Sequence, residues 1–222
     1  MQLLEGIQSI LERTYALNNA HSVSRFLVTC PKVLETLGLA PGPHGCAERV
    51  LLAEGEGGMD LAVYLDADLL ERLSGTDPLE DLHDDNLGDF LTALEGVSHF
   101  VYVVWNAMLG KQITLLELEL QAEVDKFVVA SQLLARQRGG VPRALHDRLF
   151  QHFRLIPDLS ADQRRRYLDA SRYAGDYCRI LARRYMGRVN GRRETPPIAP
   201  ELRHFYRLTQ RGKLRHIAAQ RA

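Results

Sequence analysis

Apolar residues concentrate between Leu87 and Arg138, in two long segments joined by Gly110-Lys111-Gln112, and Leu87 to Leu109 carries no Lys or Arg. The spacing predicts two helices folded into an antiparallel hairpin, with the rest of the chain packed around it. Upstream, Leu3, Leu4, Ile7, Ile10, Leu11 and Leu17 fall at helical spacing and predict an amphipathic first helix. Ser22 to Val28 reads as strand or loop, and Pro31 to Leu37 fits a short helix opened by its proline. Apolar runs at Arg49 to Ala53 and Met59 to Leu65 flank a glycine-rich turn and predict a β-hairpin over 49–65. Asp66 is placed to cap a helix over 67–73.

Downstream, Gly139-Gly140-Val141-Pro142 is a break, and Arg143 to Phe153 reads as a short helix. Ser160 with Gln163 forms a capping-box pattern that opens a helix running to about Tyr185. A loop from Gly187 to Pro200 leads to a last basic helix from Glu201 to about Gln220. The expected class is α+β, mainly α: a helical bundle on a long hairpin, with one small β-hairpin near the N-terminal side. Two strands alone are marginal, so a third is expected near Phe26. Residues 1–186 read as one mainly helical domain. Residues 187–222 read as a basic linker and C-terminal helix packed on or appended to it.

Composition changes this picture little. With 222 residues, 45% hydrophobic and 25% charged, the chain can bury a core without disulfides or metal. Three scattered cysteines, Cys30, Cys46 and Cys178, are no disulfide framework and suggest a reducing compartment. The first residues lack the basic and apolar regions of a signal peptide. Val97 to Leu109 is too short and too polar to span a bilayer. A cytoplasmic protein with no membrane contact is expected.

Charge is segregated behind a net value of zero. From Arg164 onward there are sixteen Lys and Arg against four acids, so the last part carries an excess of twelve positive charges and the first part the opposite. A match within the chain, an acidic protein partner or nucleic acid would each use that asymmetry. Arg172, Arg179, Arg183, Arg184, Arg192, Arg193, Arg207 and Arg211 are the candidate partner-binding residues, although no nucleic-acid module is visible.

The candidate chemistry lies on the hairpin. Glu95, His99, Tyr102 and Asn106 share an arc of ~60° on the first helix, a stripe without the long basic side chains of a wet face. On the second helix, Thr114, Glu117, Gln121, Asp125, Gln132 and Arg136 read as the wet face. Glu119 and Glu123 fall at the edge of and inside the apolar stripe opposite. Folding the pair about its turn brings His99 level with Glu123 and Tyr102 level with Glu119 or Leu120. Glu and His from facing helices are how bundles build metal sites, and this set suits Mn, Fe, Zn or Mg. Glu95, His99, Glu119 and Glu123 are the candidate ligands, with Tyr102 as proton donor or substrate orienter and Asn106 in support, for metal-assisted hydrolysis. A metal-free acid–base pair, a structural hydrogen-bond network and plain exposure stay open as alternatives. The spacing Glu-x3-His matches neither the di-iron nor the zinc-protease helix motif. His21, Cys30, His44 and Cys46 match no zinc module, and Gly55 to Gly58 lacks the Lys and hydroxyl of a phosphate loop. His83 to Asn86 reads as a helix cap, through Asp84, Asp85 or Asn86.

Overall fold

The structure, a computed structural model, describes residues 2–36, 47–55, 58–151, 159–185 and 197–221. It is α+β and mainly α. The order is α1 (Gln2–Tyr15), a 3-10 turn (Val23–Arg25), β1 (Leu27–Val28), α2 (Pro31–Thr36), β2 (Glu48–Gly55), β3 (Gly58–Leu65) and α3 (Ala67–Gly75). Then follow α4 (Asp84–Met108), α5 (Leu115–Arg138), α6 (Leu145–Phe150), α7 (Ala161–Tyr185), α8 (Ala199–Arg207) and α9 (Gln210–Arg221). His44, Cys46, Arg192 and Arg193 lie outside the described residues. Cys30 is an exposed free thiol and Cys178 a buried one.

The caps explain where the long helices begin. The Asp66 carboxylate accepts from Leu69 N–H at the start of α3. The Thr114 hydroxyl accepts from Glu117 N–H at the start of α5. At α4 the capping box starts at His83: its ring accepts from Asp85 N–H, and Asn86 Oδ1 accepts from His83 N–H. This lengthens α4 by a turn beyond the apolar run that announces it. Ser160 and Gln163 exchange the two bonds expected of them. The α5 helix ends at Gly139, whose φ of 72° is the left-handed conformation that glycine adopts without a steric penalty.

Three strands form one sheet in the order β1-β3-β2, with β1 parallel and β2 antiparallel to β3. The third strand is Leu27–Val28, next to Phe26, and it gives the hairpin the extra edge that two strands lack. The sheet packs on α4, and Gly96 lies against β2 and β3. A Cβ there would lie 3.1 Å from the Glu48 side chain and 3.2 Å from Val63. Glycine at this position lets β2 lie close enough for Glu48 to reach the helix face beyond it.

A ladder of side-chain contacts runs between α4 and α5: Tyr102 to Glu117, Ser98 to Asp125 and Glu95 to Lys126. The residue numbers rise on one helix as they fall on the other, so the two helices run antiparallel. Phe90, Val97 and Phe100 on α4 and Leu120, Val124 and Phe127 on α5 are buried in the common core, each worth roughly 1.5–3 kcal/mol of burial. Among the described residues, α4 is the one helix long and apolar enough to cross a membrane, and 72% of that window is buried inside the protein. It is a core helix.

The reading of α5 is corrected on one face. Glu117, Gln121 and Asp125 are 5%, 0% and 1% exposed, not a wet face. The helix is covered on that side by elements far away in sequence. Tyr15 of α1 comes from one end of the chain, and Tyr206 of α8 and Lys213 of α9 from the other. The single C-terminal helix expected from Glu201 is two helices, broken at Leu208-Thr209. Leu202, Phe205, Tyr206 and Ile217 join the same core as α4 and α5.

Candidate metal centre

His99 sits in the middle of the buried polar group on α4, with its side chain 7% exposed. Its Nδ1 lies 3.4 Å from Glu48 Oε1 on β2. Its Nε2 lies 3.7 Å from Glu119 Oε2 on α5, too far for a hydrogen bond, and makes none. One ligand atom each from Glu95, His99 and Glu119 lie within 4.8 Å of one another. Two faces of α4 are thus brought into use: i,i+4 spacing stacks Glu95 under His99, and the gap over Gly96 admits Glu48.

Two cations border the group. Lys126 Nζ donates to Glu95 Oε2 at 3.1 Å and to Glu123 Oε1 at 2.6 Å, bridging α4 and α5. From α7, Arg166 Nε stands 3.8 Å from Glu119 Oε1 and makes no hydrogen bond. Lys126 thus sets its positive charge beside Glu95 and Glu123, and Arg166 beside Glu119.

The acidities follow from burial first and from these charges second. Burial pushes Glu119 up to about 7, with His99 opposing it only in part. Burial also raises Glu48, against the hydrogen bond and charge of His99, and raises Glu123, against Lys126. Glu95 alone is lowered, because Lys126 and His99 outweigh its burial. For His99, burial disfavours the cation, but Glu48, Glu119 and Glu95 prevail and lift it to about 9. Lys126 is raised as well, since Glu123 and Glu95 outweigh its burial.

Tyr102 and Asn106 share the stripe but not the group. The Tyr102 hydroxyl donates to Glu117 at 2.5 Å, and Asn106 Nδ2 donates to the Tyr102 carbonyl at 2.8 Å. Both belong to a second buried network, reached by a rotation of the helix face toward α8 and α9. There the Asp125 carboxylate accepts from Tyr15, Ser98 and Gln121, and Lys213 Nζ donates to Gln121 at 2.6 Å. Lys213 is fully buried, with its ammonium 4.5 Å from the centroid of Tyr102 and 5.2 Å from that of Phe205. Burial lowers its pKa to about 7, Glu117 and Asp125 opposing. Glu123, expected opposite His99, pairs with Lys126 instead, and Glu119 takes the place facing the imidazole.

Much of the basic C-terminal surface is paired within the chain. Arg172 binds Asp169, Arg179 and Arg221 bind Asp176, and Arg184 donates to Gln220. Arg207 donates to the carbonyls of Tyr15 and Ala16 and covers Trp105. Arg183 and Arg211 are exposed. Glu48, Lys126 and Arg166 escape a reading of the helical stripe. Glu48 is the first residue of a strand, 51 positions from His99, and local periodicity says nothing about such a partner. Lys126 had a signal: it is the one Lys on α5, three residues after Glu123 and just before the apolar run Phe127 to Ala130. No family model, curated protein or solved structure matches the chain, so the centre is read from its own chemistry.

Proposed function

We propose that this is a divalent-metal protein, with Glu95, His99 Nε2 and Glu119 as ligands. The observation that carries the reading is His99. Its Nδ1 is held by a carboxylate while its buried Nε2 faces Glu119 without a hydrogen bond, the arrangement by which metal-bound imidazoles are oriented. The burial of Glu95 and Glu119 supports it, since a divalent ion between them would offset their charge. The ion would take the proton's place on Nε2, as metal binding to imidazole requires. Two carboxylates and one imidazole suit Mn, Fe or Zn more than Mg, which prefers oxygen alone. Tetrahedral bonds would bring the donors to about 3.3 Å apart, a small contraction for two glutamates on rotatable side chains.

Three protein ligands leave a position for water, and metal-assisted hydrolysis is the reaction class that such a position serves. The free thiols fit a cytoplasmic setting. The test is metal analysis and calorimetric titration of the purified protein with Mn and Zn, beside His99→Ala and Glu119→Gln. One equivalent bound by the wild type and lost in both variants is expected. A wild type that takes up no ion, and gains no thermal stability from any divalent metal, overturns the reading. Hydrolysis is then assayed on ester, amide and phosphoester model substrates with the ion present.

A further inference from the structure

The Lys126 ammonium occupies a position that chemistry usually assigns to a metal ion. It lies between two carboxylates from facing helices, Glu95 on α4 and Glu123 on α5, at 3.1 and 2.6 Å. Its side chain is 13% exposed, and those of the two carboxylates 23% and 18%. Glu95 is also a member of the group around His99, so one carboxylate serves the proposed ion and the ammonium together. A carboxylate shared by two neighbouring cations, with further Glu and His from facing helices, is the plan of a two-metal bundle site.

We infer that Lys126 is a tethered stand-in for a second divalent cation, and that it sets the stoichiometry of the centre at one ion. The inference rests on the metal reading given above. Without the ammonium, Glu95 and Glu123 would form a second pair of oxygen ligands beside the first ion. Glu95 and Glu123 would then lose the ammonium that offsets their charge, and a second ion would supply that charge instead. The second position would be made of oxygen donors and would favour a hard ion such as Mn over Zn.

Native mass spectrometry and calorimetric titration with Mn, on the full chain, decide it. The wild type is expected to bind one ion, Lys126→Gln two, and Lys126→Arg, which keeps the charge, one. Adding Glu123→Gln to Lys126→Gln is expected to return the count to one. Lys126→Gln leaves two carboxylates unpaired, so its stability is read as well: Mn is expected to raise its Tm by more degrees than it raises the wild type's. If Lys126→Gln, folded by circular dichroism in the presence of Mn, still binds one ion, the inference is overturned and the metal reading stands. If the wild type and Lys126→Gln both bind none, the metal reading itself has failed. Two ions on the wild type would keep the metal reading and remove the role given to Lys126.

Discussion

Glu48 Oε1 lies 3.4 Å from His99 Nδ1, a contact between a strand and a core helix that exists because residue 96 has no side chain. The strand supplies the carboxylate, the helix supplies the imidazole, and Gly96 sets the distance between them.

Gly96→Val therefore tests the fold and the centre together. A branched side chain would meet Glu48 and Val63 at 3.1–3.2 Å or closer and push β2 off α4. Overpacking of this kind costs about 1–3 kcal/mol. The variant is expected to unfold at lower urea and to bind metal more weakly than the wild type. Unchanged metal affinity in a destabilised variant would separate Glu48 from the centre.

Glu48→Gln keeps the shape and removes the charge that orients and polarises His99. Partners of this kind are worth roughly 10–100-fold in metal affinity. A loss in that range, read by competition with a chelating dye, is expected. Full affinity would show that Glu48 is only a strand residue that happens to lie near the ring.

Tyr102→Phe touches the other network. It removes the hydroxyl that donates to buried Glu117 and leaves the cluster around His99 intact. The expected result is a loss of about 1–3 kcal/mol in stability with metal stoichiometry unchanged. A lost ion would bring Tyr102 back into the centre.

Lys213 makes stability depend on pH. Its amine titrates at 10.5 ordinarily and at about 7 in the fold. Between those values the unfolded chain binds more protons, so this group's contribution rises with pH from about 7 toward 10.5 and is flat below 7. His99 is raised from 6.5 to about 9 and acts in the opposite sense over much of the same window. The readout is therefore the stability of the wild type minus that of Lys213→Met, from urea unfolding at pH 7 to 9.5. That difference is expected to move in favour of the wild type by up to about tenfold in folding equilibrium constant per pH unit. A difference that does not change with pH would mean that Lys213 keeps its ordinary acidity.

The helices, the caps at Asp66 and Ser160 and the small hairpin were legible because helical and strand periods repeat within a few residues, while the caps at His83 and Thr114 were not. The α5 surface was misread because burial there depends on residues from both ends of the chain. Glu117, Gln121 and Asp125 look like a wet face until Tyr15 and Lys213 are laid on them. That Glu95, His99 and Glu119 gather was legible in helical spacing, though Glu119 was expected level with Tyr102. The pairing of Glu123 was not, because Lys126 is one residue off the stripe that suggests the site. Glu48 was out of reach for a different reason: its place depends on how closely a sheet approaches a helix, and that is set at Gly96.

Lys213 lies in the first turn of α9 and reaches the interior from there. Until α9 is synthesised and docked, Gln121 lacks its amine partner and the polar face of α5 stands open to solvent. The N-terminal helix is in the same position, since Tyr15 stacks on Tyr206 at 4.2 Å. A nascent chain stopped short of α8 holds most of its apolar core but not the lock on its polar one. Closing this polar interior therefore depends on the docking of α8 and α9 and not on the apolar core alone.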